Sequence, residues 1–490
     1  MIRFLLICLF GLLLANQLPG EIILDQAVSW TDFSYITSIA AGFDMVYFGT
    51  TEGILRYNRL ERRWYEPITV SDGLPDRYIR RLALYPDGGR LAFETESGVY
   101  SYDYRIKSFF PESEFPEEFY QDPRPPTPLP TLIMPFGYAV SPEGTVSDAY
   151  FRDFRITAWL NDFYGMIYAG TWGLGPILID TRTYEATIIP FGLIQKRTDV
   201  IYREGDSLWL AGNQGDYPTV SSRTRRGVTL FRLSEPSFAW LEPRYLNGFN
   251  SEIIYDIAGD KKRLYFAGSQ GMTILRRGDG RFFTITRREG LPETEVTALA
   301  VRSDSVWIGT TAGLALYTPS VDTVTIVSRK FFGDLFITDL VLTGDRLIIG
   351  STNGAWYIDF RSREVGRLRG DAVSGEIRHL AVADDELLVS TNAGVGVVNL
   401  VTEKITVLPY IDQASGAYAA AANEFYYAVA VDDGLTLIRR DDTQRWRHFT
   451  TDDGLLSDRV NALLPDGDYL WIGSEEGLTR FKWVNPDRVD

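Results

Sequence analysis

One recurring motif constrains the fold more than any other feature: an apolar stretch ending on a small residue, a glycine hairpin, and a second apolar stretch. It is clear in "VYFGTTEGILRY", "MIYAGTWGLG", "LYFAGSQGMTIL", "VWIGTTAGLALY", "LIIGSTNGAWYI" and "LWIGSEEGLTRF". It is weaker in "LAFETESGVYSY", "LWLAGNQGD", "LLVSTNAGVGVV" and "YYAVAVDDGLTLI". Anchored on the small residue, ten copies fall at Gly49, Glu94, Gly170, Gly212, Gly268, Gly309, Gly350, Ser390, Ala430 and Gly473, separated by 45, 76, 42, 56, 41, 41, 40, 40 and 43 residues. A period of about 42 built from short alternating apolar runs fits a four-stranded propeller blade; a helical repeat would space apolar residues three or four apart over longer windows. The expected fold is all-β, a β-propeller of four-stranded antiparallel blades with about ten repeats. In the copy that reads "VTALAV", "SVWIGT", "LALYT", "TVTIVS", the strands run from the inner to the outer edge. The glycine between the second and third strands allows the positive φ of that hairpin.

The last copy stops after "GLTRFKW" with three strands, and the N-terminal "AVSWTDFSYITSI" is expected to supply the fourth. Trp30 and Phe33 share the spacing of Trp446 and Phe449, and Ile36 and Ile39 match Val460 and Leu463. Such a strand closes the ring and removes its exposed edges. Residues 21–490 are then the propeller. One ring is favoured, because no linker interrupts the spacing after Gly170; two smaller rings are the alternative.

Residues 1–20 read as a signal peptide: Arg3 gives the positive start, and the apolar run from Phe4 to Ala15 is too short to span a membrane. Cleavage after Ala15 or after Gly20 fits. Cys8, the one cysteine, would be a lipid anchor only if Leu5, Leu6 and Ile7 were the small residues that lipoprotein processing prefers. The mature chain then has no disulfide, and burial has to stabilise it; 45% apolar composition suffices. The net charge of −16 disfavours nucleic acid and anionic membrane surfaces as partners. No later stretch reaches 18 continuous apolar residues, so no membrane insertion is expected after signal removal. Oligomeric state is left open.

Two separations are too long, marking insertions at 104–155 and 213–226. The first holds the Pro-rich "PESEFPEEFYQDPRPPTPLPTL", which cannot sustain ladder pairing, followed by a piece that reads as an added hairpin; an eleventh, degenerate unit is the alternative. The second, "NQGDYPTVSSRTRRG", lengthens a hairpin between second and third strands. Such hairpins and the turns between blades emerge on one face, so both insertions decorate the same side, with Trp172 between them. Trp172, Tyr217, Arg223, Arg225 and Arg226 are the candidate ligand-binding residues, an aromatic surface beside cations suited to a sugar ring or an acidic ligand. The competing reading has Trp172 covering a blade junction and the arginines solvating a loop.

Catalytic and cofactor chemistry finds little support, and no cofactor is expected. His379 and His448 lie in different units at unrelated phases, which argues against a histidine metal site and against a Ser-His-Asp triad. The "DDG" runs at Asp432 and Asp452 lack the spaced acidic residues of a calcium loop and read as turns. Paired carboxylates for glycan cleavage stay open as an alternative, since sixty-five acidic residues supply pairs by chance. Trp209, Trp307 and Trp471 share a phase of the second strand and read as packing between blades; Trp64 and Trp446 on outer strands read as structural.

The stretches "DGLPDRYIRRLAL", "EGLPETEVTALAVRSDSVWIGTTAGLALY" and "DGLLSDRVNALLPDGDYLWIGSEEGLTRF" resemble the two-component regulator propeller repeat, over nearly all of residues 22–483. That family includes periplasmic sensor portions of hybrid histidine kinases that detect glycan fragments, and stand-alone secreted propellers, one of them an accessory of the type IX secretion system. The resemblance implies the fold and a habit of binding glycans or protein partners. It transfers no residues beyond the structural turns. The resulting expectation is a periplasmic, secreted or surface propeller without catalysis that binds a glycan or an envelope protein through the face bearing 136–155, Trp172 and 213–226. The alternative is a polysaccharide lyase or glycosidase using carboxylates at the channel mouth.

Overall fold

The computed structural model describes residues 27–484, apart from 87, 163, 214–224, 328 and 410–415. Ten antiparallel sheets make up the described residues, nine of four strands and one of six. Blades 1 to 10 are numbered here by their second strands, which run in chain order from Met45–Thr50 in blade 1 to Tyr469–Ser474 in blade 10. The strands follow the expected order from inner to outer edge. In blade 6, Val296–Arg302, Ser305–Thr310, Gly313–Thr318 and Thr323–Ile326 pair in order, and the second strand is buried along nearly its whole length. The "DGL" and "EGL" turns before inner strands are single 3-10 turns. Thr286 and Thr450 each accept an amide of the turn, Glu289 and Asp453 reach back to the threonine N–H, and Gly290 and Gly454 end the turn at φ 114° and 93°.

Ala27–Trp30 completes blade 10, pairing Ala27 with Phe481 and Trp30 with Leu478. The register corrects the sequence alignment. Phe449 pairs with Leu435, which follows the hairpin glycine of blade 9 as Leu478 follows that of blade 10, so Trp30 takes the place of Phe449 and not of Trp446. Ile36 does match Val460, each pairing with the residue after the anchor glycine. The two alignments disagree because the capped turn between an outer strand and the next inner strand is absent between Trp30 and Ile36. The anchors Gly212 and Gly268 are likewise one position late: Ala211 and Ala267 hold the place that Gly309 holds in blade 6.

The ten blades do not follow one another in a single circuit. Where the anchor is a glycine, at Gly49, Gly170, Gly309, Gly350 and Gly473, a residue at the start of the neighbouring blade's inner strand sits over it, where a Cβ would collide. Ile337 of blade 7 lies 2.6 Å from such a Cβ on Gly309, and Ile377 of blade 8 lies 2.9 Å from one on Gly350. By the same contact Thr198, which enters blade 4, sits on Gly473 of blade 10 at 2.6 Å, and its N–H bonds to the Ser474 carbonyl at 2.8 Å. Blades 4 to 10 thus form a closed ring of seven around a channel lined from all seven inner edges, with Asp199, Tyr255, Thr297, Thr338, His379, Tyr418 and Asn461 contributing in turn. Blades 1 to 3 form a row in the order 3–1–2. Ile36 of blade 1 packs on Gly170 of blade 3, and Ile79 of blade 2 packs on Gly49 of blade 1 at 2.8 Å. The favoured single ring gives way to this division because spacing measures residues per blade, not which blade lies beside which.

The first insertion accounts for the open ends of the row. Its start moves from 104 to 113, because Ser108–Glu112 is the outer strand of blade 2. Residues 113–135 then run largely without strand pairing. Phe115, Phe119 and Tyr120 cover the free face of blade 2 at Ala83 and Ala92. Leu129 and Leu132 cover the free face of blade 3 beside Phe154, Ile156 and Ala169. The following hairpin, Tyr138–Val140 and Thr145–Asp148, is the expected added one and gives blade 3 its six strands. Row and ring share one core through the chain of rings Trp64–Phe191–Phe238–Phe231–Trp30, with centroid separations of 4.4 to 5.0 Å. The Trp209, Trp307 and Trp471 side chains are buried between blades and Trp64 lies in this junction, while Trp446 is exposed.

Candidate binding cleft between row and ring

The added hairpin of blade 3 ends in a turn built around one carboxylate. Asp148 accepts the Tyr150 and Arg152 amides, both at 2.9 Å, the Arg152 Nε at 2.6 Å, and the Tyr245 hydroxyl at 2.7 Å from the segment after blade 4. Arg152 Nη2 lies 2.9 Å from Glu242, and Arg225 Nε and Nη2 donate to the same residue at 2.9 and 2.8 Å. Arg225 stands 4.1 Å over the Trp240 ring, whose Nε1 donates to the Gly192 carbonyl at 2.9 Å. The result is an alternating chain, Asp148–Arg152–Glu242–Arg225, all four buried. Burial pushes the Asp148 carboxyl up, but the Arg152 amide, the Tyr245 hydroxyl and the guanidinium outweigh it and hold the group below its ordinary range. A buried set of alternating charges of this kind adds little net stability yet fixes one docking geometry, since losing any member strands the others.

Above this floor lies a cleft of about 850 Å³, walled by Phe136 and Tyr138 of the insertion, Ile188 of blade 3, and Arg225, Trp240 and Leu246 from the blade 4 side. Apolar walls with a few placed polar groups are the usual make-up of a ligand cavity. Phe136 is fully exposed at its lip.

Of the five residues singled out in the sequence, Arg225 lines the cleft, though Glu242 and Trp240 already engage it. Trp172 lies outside the cleft, 44% exposed, edge-on to Tyr35 at 5.2 Å, with its amide bonded to the Arg155 carbonyl. Arg226 is half-buried and does not line the cleft. Tyr217 and Arg223 lie outside the described residues. Trp172 and Arg225 still belong to one neighbourhood: Tyr35 bridges to Trp172, and Arg225 acts electrostatically on both Tyr35 and Asp32. Burial pushes the Asp32 carboxyl up against hydrogen bonds from Ser34 and the pull of Arg225 and Lys196. Phe136 and Tyr138 fall within the 136–155 stretch expected on the binding face, though neither was singled out; sequence reasoning missed Trp240 and Glu242. The apolar-polar alternation of "SFAWLEP" was the one available signal for Trp240.

The ring channel, about 220 Å³, is polar. Asp256 accepts its own following amide and that of Leu299 in blade 6, both at 2.7 Å; Asp339 accepts Leu340 at 2.7 Å and Leu380 of blade 8 at 2.6 Å. These carboxylates tie one blade to the next. Burial, with Asp339 nearby, pushes Asp256 up to about 7 against the two amides. Among the described residues no group of three or more His, Cys, Asp and Glu could hold a metal ion. The "DDG" at Asp452 is one of the capped 3-10 turns, and that at Asp432 is a hairpin.

No protein-family model matches the chain, and no curated protein sequence matches it. Solved structures do. PorZ, a bacterial surface component of the type-IX secretion system of Porphyromonas gingivalis, is 14% identical with a TM-score of 0.50, covering 91% of this chain and 74% of its own. The extracellular domain of BT4673 from B. thetaiotaomicron is 15% identical with a TM-score of 0.49, covering 93% and 71%. The chain is a β-propeller protein, and its resemblance to the two-component regulator propellers holds at the level of fold. No helix among the described residues is long and apolar enough to cross a membrane.

Proposed function

We propose that this chain is a non-catalytic recognition propeller acting outside the cytoplasm, in the periplasm or at the cell surface, which takes up a glycan or an envelope protein in the cleft between row and ring. The cleft is the observation that carries the reading. Its walls come from the insertion that the repeat does not require and from the blade 4 edge, and a buried ion network holds the two together. The reading of residues 1–20 as a signal peptide and the bacterial-surface setting of PorZ, a protein of like fold, support this location.

A glycan array combined with partner capture from envelope extract tests it. Trp240→Ala should weaken binding at least tenfold. Deleting 214–224, which spares Arg225, should weaken binding with thermal unfolding nearly unchanged. Equal loss of binding and stability in both variants would make the cleft a structural seam. Trp172→Ala reports whether the neighbouring aromatic takes part.

A further inference from the structure

The outer strand of blade 3, Ala186–Ile188, borders the cleft with its outer edge. Its inner edge is taken: Ile177 pairs with Ile188, Leu178 with Thr187 and Ile179 with Ala186, and the Ile189 N–H bonds to the Pro176 carbonyl at 3.1 Å. Along such a strand the two backbone groups of a residue face one side and the side alternates, so Ala186 and Ile188 turn theirs outward. A second ladder begins there. Ile133 bridges Glu185 in parallel, donating to the Tyr184 carbonyl and accepting from the Ala186 N–H, both at 2.9 Å. It stops for a chemical reason. The next residue in register is Pro135, which has no N–H to give the Ala186 carbonyl, and the Pro135 carbonyl accepts from Tyr138 instead, at 3.1 Å. The chain turns away at Phe136, and the Ala186 carbonyl and Ile188 N–H point towards the cleft that Ile188, Phe136 and Trp240 line.

We propose that this edge accepts an extended segment of a partner protein, laid parallel to residues 186–189 as a continuation of the Ile133 strand, with every second side chain apolar and entering the cleft. The inference rests on the cleft being the recognition site and specifies its occupant. Continuity carries it: the chain already adds one residue of its own to this edge in this orientation, and a proline ends the addition where the cavity begins. In strand addition the backbone ladder supplies affinity and the pocket beside it supplies specificity. A sugar could use Trp240 and Arg225 but lacks the row of amides at strand spacing that would match the Ala186 carbonyl and the Ile188 N–H.

A displayed random-peptide library selected on the full chain supplies the probe, and the enriched peptide is synthesised with capped ends and N-methylated at each position in turn. The expected peptide has apolar residues at alternate positions. N-methylation should weaken binding at least tenfold at one alternating set of positions, a readout that leaves the protein untouched. Ile188→Pro, which removes the outward N–H together with the isoleucine side chain, should weaken binding similarly where Ile188→Ala, which keeps the N–H, weakens it less, and Trp172→Ala should not weaken it. Absence of an enriched peptide, or binding indifferent to N-methylation, overturns strand addition. A glycan whose binding is lost in Trp240→Ala but kept in Ile188→Pro overturns strand addition while leaving the cleft as the recognition site. Ligands indifferent to Trp240→Ala overturn both.

Discussion

Asp256 and Arg152 are both charged groups placed where the chain has little water to offer, and they predict opposite experiments. Asp256 is raised to about 7 in the fold, against an ordinary unfolded value of about 4. The unfolded chain therefore gives up this proton first as pH rises, so the group's contribution is fully present below about pH 4 and is lost by about pH 7, at no more than about 1.4 kcal/mol per pH unit. Asp256→Asn keeps an acceptor for Leu299 and removes the titration. Its melting temperature should fall less between pH 4.5 and 7 than that of the natural chain, as scanning calorimetry would show; an unchanged slope would refute the assignment. Arg152→Met leaves Asp148 and Glu242 buried without their shared cation, and urea unfolding should report a loss of about 3–5 kcal/mol. At this scale the site was only partly legible. Arg225 could be picked out as a cation on an insertion, but its partner Glu242 sits on the far side of blade 4's outer hairpin, and a sequence does not reveal that two such charges are buried together.

The hairpins between second and third strands show what element-level reading can and cannot reach. Gly434, at φ 142°, would drive a Cβ into the Phe449 carbonyl, whereas Gly394, at φ 119°, has nothing within 4 Å. Gly434→Ala should cost about 1–3 kcal/mol from backbone strain with a collision added, and Gly394→Ala should lie at the low end of that range; equal losses in paired thermal melts would remove the steric part of the argument. These glycines were readable because their demand is local. The register of Trp30 was not, since it depends on a turn that the chain omits between Trp30 and Ile36. Nor was the burial of Leu129 and Leu132, because proline density announces the lack of a ladder but not the sheet faces on which the segment lies.

For the whole molecule, blade number and strand order were legible in the repeat, while the division into a ring of seven and a row of three was not, because the junctions of Thr198 with Gly473 and of Ile36 with Gly170 join residues far apart in sequence. Trp30, 2% exposed against Phe231 and Trp471, secures both the last blade and the row, so Trp30→Ala should cost about 3–5 kcal/mol. Removing residues 27–30 should leave an unpaired outer edge on blade 10, visible as concentration-dependent association in size-exclusion chromatography. The hydroxyls of Ser29 and Thr479 meet at 2.7 Å across 450 residues. A polypeptide emerging from a ribosome front end first must hold the strand at 27–30 in reserve while some 450 further residues are made, and a nascent intermediate stalled short of Leu478 has no partner for it.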